Sequence, residues 1–91
     1  MKKSKFGFYE SENHQLSKNV HYLRTKSRMS RITFSEKMNM SNNLLFCLEK
    51  RFLRAITEEA MQTICDYYNI TPEELFYTDL REVQAKRIRR K

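Results

Sequence analysis

The sequence predicts an all-α fold, a compact bundle of about five short helices, and three observations carry that reading. One glycine and one proline in 91 residues leave too little turn chemistry for a β-sandwich or barrel. The apolar residues recur at intervals of three and four in short groups, the spacing of one helical face. Side chains that cap helix N-termini (Ser30, Ser41, Thr57 and Thr71) stand at the head of successive groups.

Taken in order, residues 1–15 are mostly polar, with Phe6, Phe8 and Tyr9 gathered around Gly7. Alternation of Phe6 and Phe8 suits a strand, but a single strand is marginal, so an N-terminal arm is expected there. Leu16, Val20 and Leu23 then mark the first helix, with Lys18, Arg24 and Lys26 turned elsewhere. Ser30 caps a second helix carrying Phe34 and Met38. Asn39 interrupts it, as the residue after glycine most tolerant of a left-handed backbone. Ser41 caps a third helix whose apolar side holds Leu45 and Leu48, and residues 50–56 read as a loop. Thr57 opens a fourth, with Glu58 and Glu59 against its positive end and Ala60, Met61, Ile64, Cys65 and Tyr68 in one stripe. Thr71-Pro72-Glu73-Glu74 is the clearest start signal: threonine at N-cap, proline at the first helical position, glutamate at N3. Residues 81–91 form a basic tail able to extend a helix with Leu80, Val83 and Arg87 along one side.

Length allows one domain, and 40% apolar with 32% charged residues is too apolar for a disordered chain. No apolar run approaches the ~18 residues of a membrane helix, and no apolar stretch follows the first lysines as a secretory signal requires. Cys47 and Cys65 can make neither a disulfide framework nor, with the distant His14 and His21, a paired-spacing metal site; a reducing cytoplasm, no metal and no cofactor are expected. No glycine-rich phosphate loop or activated nucleophile suggests an enzyme.

The net charge is +7, and its layout says more than its size. Residues 16–50 carry seven basic and two acidic side chains, residues 51–80 two against six, and residues 81–91 six against one. A positive face of this kind suits phosphate neutralisation. Within the basic half, Ser30 to Lys50 has the parts of a helix-turn-helix: two short helices, the small Ser35 where they cross, Asn39 in the turn, Met40 to plug the angle, and Ser41 opening the second helix. By spacing, that second helix presents Asn42, Asn43, Leu44, Phe46, Cys47 and Lys50 outward. Such a helix suits a major groove, where asparagine reads adenine through two hydrogen bonds and apolar groups touch a thymine methyl.

Residues 16–80 resemble the Cro and phage-repressor (Xre-like) helix-turn-helix family, which has a lambda-repressor-like fold. The resemblance rests on Asn19-Val-His-Tyr-Leu-Arg24, Ser30, Glu36-Lys-Met38, Ser41, Leu45, Leu48-Glu49 and Ile64-Cys-Asp-Tyr-Tyr-Asn-Ile-Thr-Pro-Glu-Glu-Leu75. It implies a cytoplasmic, homodimeric transcriptional regulator of double-stranded DNA, in which the helix opened by Ser41 is the recognition helix. Asn42, Asn43, Leu44, Phe46 and Cys47 would then read bases. Phosphate contacts would fall to Arg31, Ser41, Lys50, Arg51 and the tail arginines Arg87, Arg89 and Arg90, while Glu49 would hold the following loop. Arg31 stands where the family usually has glutamine, and Arg51 takes the place of its glycine after the glutamate. The apolar Leu44, Phe46 and Cys47 equally suit a second use, in which a phage or mobile-element protein docks another regulator or a host protein on this face.

Overall fold

The computed structural model describes residues 2–3 and 7–89, with side chains from Lys3 and from residues 7–84. These residues form α1 (Gln15–Lys26), α2 (Arg31–Lys37), α3 (Asn42–Glu49), α4 (Glu58–Tyr68), α5 (Pro72–Tyr77) and α6 (Leu80–Arg89). The same residues contain three short strands, β1 (Lys2–Lys3), β2 (Phe8–Glu10) and β3 (Ala55–Thr57), which pair antiparallel in the order β1-β2-β3. The fold is thus mainly helical, as expected, but two expectations need correction. The stretch read as an arm contains β2, and the stretch read as a loop leads into β3; Phe8, Tyr9 and Glu10 face Thr57, Ile56 and Ala55 in register. The two segments satisfy each other's backbone, which neither could do alone. Beyond the ladder, the Ser11 amide donates to the Arg54 carbonyl at 2.6 Å and the Arg54 guanidinium to the Glu12 carbonyl at 3.1 Å.

One core unites the helices. Leu16, Val20 and Leu23 of α1 meet Phe34 and Met38, Leu45 and Leu48, Ile56, Ala60, Met61, Ile64 and Cys65, and Leu75 and Phe76. The caps foreseen at Ser30, Ser41, Thr57 and Thr71 all form, each side chain accepting from the amide three residues on, and Thr71 with Glu74 completes a reciprocal capping box.

The helix exits are less ordinary. α1, α2 and α3 each end in a Schellman turn with a left-handed residue just past the helix: Arg28 at φ 57°, Asn39 at φ 59° and Arg51 at φ 65°. The amide of the next residue reaches back in each case, Met29 to the Arg24 carbonyl, Met40 to Ser35 and Phe52 to Cys47. Two of these glycine-favouring slots therefore hold arginine.

A single buried polar side chain joins α1 to the far end of the chain. Asn19, 1% exposed, donates to the carbonyls of Leu75 and Thr78 at 2.7 Å each and accepts from the Leu80 amide at 3.2 Å. It serves backbone groups at the end of α5 and the start of α6 that have no helical partner there.

Candidate nucleic-acid interface

The geometry begins with the turn between α2 and α3. Met38 is fully buried, Asn39 takes the left-handed bend, and its side-chain amide donates to Glu59 of α4, fixing the turn to the body. Ser35, the small residue expected at the crossing, is 3% exposed, and its carbonyl accepts from the Met40 amide in the turn. Ser41 then starts α3, its oxygen accepting from the Leu44 amide at 3.0 Å and its own proton left available to an acceptor outside.

Along α3, Leu45 and Leu48 are fully buried, so the opposite side faces out. Asn42 and Asn43 lie exposed in its first turn, and Lys50 and Arg51 are exposed at its exit. Leu44 and Cys47 are only half-buried, less outward than their spacing suggests. Phe46 is 39% exposed, and two cations stand over its ring. The Arg31 guanidinium carbon lies 5.4 Å and the Lys50 ammonium 5.9 Å from its ring centroid, within cation–π range. Arg31 also approaches Glu49 at 3.8 Å, so the first cation of α2 is held back over α3.

The expected role of Glu49 changes. Its carboxylate, 2% exposed, turns to α1 rather than to the following loop: Arg24 grips it with two hydrogen bonds of 2.7 and 2.9 Å, and His21 approaches at 2.7 Å. Burial pushes the Glu49 carboxyl upward in pKa, but the hydrogen bonds and charges of Arg24 and His21 outweigh it and hold the group below its ordinary value. Arg24 also donates to the Met29 carbonyl at 3.0 Å. One guanidinium thus ties the end of α3 and the entry to α2 to the same point on α1, setting the angle at which the pair is presented. The loop exit that Glu49 was expected to hold is instead fixed by the Schellman turn at Arg51.

Sequence reasoning missed Phe52, which is 71% exposed and meets Phe46 edge-on with centroids 6.3 Å apart, and its neighbour Leu53, 41% exposed. The apolar content of the 50–56 stretch was the signal. Arg87 and Arg89 fall within α6, but their side chains lie outside the described part of the structure, and Arg90 lies outside the described residues altogether.

A capped, outward-facing short helix crossing a partner at a left-handed turn, with asparagines at its exposed end and cations at both flanks, defines a helix-turn-helix DNA-binding unit. The Cro/C1-type HTH DNA-binding domain model matches residues 19–80, and the chain belongs to that family. No curated protein and no solved structure matches it. No helix among the described residues is long and apolar enough to cross a membrane.

Proposed function

We propose that the chain is a sequence-specific transcriptional regulator of the Cro/repressor type, acting in the cytoplasm as a homodimer on a near-palindromic site in double-stranded DNA. The observation that carries this reading is the placement of Asn42 and Asn43 in the exposed first turn of a capped α3, with Lys50 and Arg51 exposed at its other end. Base readers and phosphate contacts are thereby divided along one short rod. Asn42 and Asn43 pair with adenine edges, and Phe46 with Leu44 and Cys47 lies against thymine methyls. Arg31, Ser41, Lys50 and Arg51, joined by Arg87, Arg89 and Arg90 of the tail, meet phosphates.

The test is selection of a preferred duplex from a random pool, followed by two substitutions. Asn43→Ala relaxes preference at one or two base positions, whereas Lys50→Ala weakens every duplex alike and lowers the salt slope by about one. Equal losses on all sequences from both changes refute this division of roles. Sedimentation of the protein with the selected duplex gives the stoichiometry, and one chain per site refutes the dimer.

A second reading, a protein-docking module, is favoured by the exposure of Phe46, Phe52, Leu53 and Ile32. It requires that Phe46→Asp abolish capture of another regulator or host protein while Lys50→Ala leaves capture intact.

A further inference from the structure

A groove of about 890 Å³ runs along the exposed side of α1, on the flank where α3 ends and α6 begins. Lys18 and Lys26 line it from α1, Arg51 from the α3 exit and Arg81 from α6. None of these four cations makes an ion pair with another described residue. The two carboxylates that also line it are already engaged. Glu49 is held by Arg24 and His21, and Asp79 accepts from the Glu82 amide at 3.1 Å at the head of α6. Arg24 and His21 offset the Glu49 charge, whereas an amide hydrogen bond leaves Asp79 its own, so four cations face one uncompensated carboxylate and the groove is net positive. Ser17, 2% exposed, lines it as well, and its hydroxyl oxygen is buried without a hydrogen-bond partner.

We propose that this groove is a second phosphate-binding track, which takes the sugar-phosphate backbone of duplex DNA beyond the segment contacted by α3. The proposal rests on the DNA-binding reading above and extends it to a surface outside the helix-turn-helix. Three features favour a polymer backbone over a small phosphorylated molecule. The groove is half open and lined by several charged side chains, whereas small-molecule sites are enclosed and mostly apolar. Its cations are strung out: Lys18 and Lys26 are eight residues apart on one helix, about 12 Å at 1.5 Å per residue, which spans roughly three or four phosphates at 3.4 Å of axis per strand. It is also continuous with the α3 exit, because Arg51 belongs to both surfaces, and the chain beyond Arg81 adds five more cations by Lys91.

The test measures binding of the full chain to a mixed-sequence 30-base-pair duplex over a range of salt concentrations, for wild type and for the Lys18→Ala/Arg81→Ala pair. Both side chains are exposed, so the fold is retained, and thermal unfolding checks this. The logarithmic salt slope falls by about two in the pair, and by about one in each single variant, since each contacted phosphate contributes about 0.9. An unchanged slope overturns the track. Titration with inorganic phosphate is the second arm: saturable shifts of the α1 amides, together with an unchanged DNA slope, assign the groove to a small anion and overturn it too. Absence of sequence preference alongside a reduced slope sinks the regulator reading alone, because the track needs duplex DNA and no particular sequence.

Discussion

Replacing Asn19 by alanine removes the one side chain that serves both the end of α5 and the start of α6. Three backbone groups lose their partner: the carbonyls of Leu75 and Thr78 and the amide of Leu80. Leu75 is fully buried and Leu80 is 8% exposed, so water replaces little of what is lost. At roughly 1–3 kcal/mol for each buried group left unsatisfied, and with partial relaxation at the half-buried Thr78, the substitution costs about 3 kcal/mol. A 91-residue domain is expected to have on the order of 5–14 kcal/mol in all. The melting temperature should then fall by roughly 12–24 °C. Urea unfolding followed by helical circular dichroism, with the denaturant slope unchanged, measures the difference directly. Asn19→Asp sharpens the test, because it keeps the side-chain shape and the acceptor for Leu80 but loses the protons given to Leu75 and Thr78. Only the protonated carboxyl fits, so its folded-state pKa is raised; the lost stability is present below about pH 3.9 and disappears as pH rises. A loss under about 1 kcal/mol for Asn19→Ala, or an Asn19→Asp variant unaffected by pH, refutes the reasoning.

Three further outcomes are expected. The Glu49 carboxyl sits below its ordinary value when folded, so the stability it contributes is complete above about pH 4.3 and drains away as pH falls through the lowered value; wild type should lose melting temperature more steeply than Glu49→Gln below about pH 4. Arg51→Gly relieves a left-handed arginine, which costs roughly 1–2 kcal/mol against a glycine entropy penalty of about 0.5–1. Chemical denaturation should show a gain of about 0.5–1 kcal/mol while DNA affinity and salt slope both drop. Cys65 is 7% exposed and its thiol is pushed up to about 11 by burial, with Asp66 and Glu74 adding to the shift. An alkylating agent at pH 8 should therefore label the half-buried Cys47 first, as peptide mass mapping will show, and equal labelling of both refutes this placement.

What could be read from the sequence was what is encoded locally. Ser30, Ser41, Thr57 and the Thr71–Glu74 box each act within one helical turn, and Asn39 declares its bend by its own conformational tolerance. The heptad-like spacing of Leu45 and Leu48 gave the orientation of α3 and, with it, the exposure of Asn42 and Asn43. The features that escaped depend on residues distant along the chain. β3 is three residues long, and its partners stand in the first ten, so no periodicity reveals it. Asn19 resembles any polar position on α1 until α5 and α6 close over it. Glu49 was legible as an anchor, but its attachment to α1 was not, because Arg24 and His21 reach it only through the packing of α1 on α3. Phe52 belonged to a stretch whose apolar content had no helical spacing to explain it.

The pairing of β2 with β3 has a mechanical consequence. The span that leaves α3 is clasped at its far end by Lys3 and residues 8–11, through the ladder, the Ser11–Arg54 bond and a 3.5 Å contact between Lys3 and Glu58. Removing those residues, or fusing a bulky tag beside them, would slacken that span without touching any exposed side chain of α3. Material prepared for DNA-binding studies should therefore keep these residues intact and free of a bulky fusion.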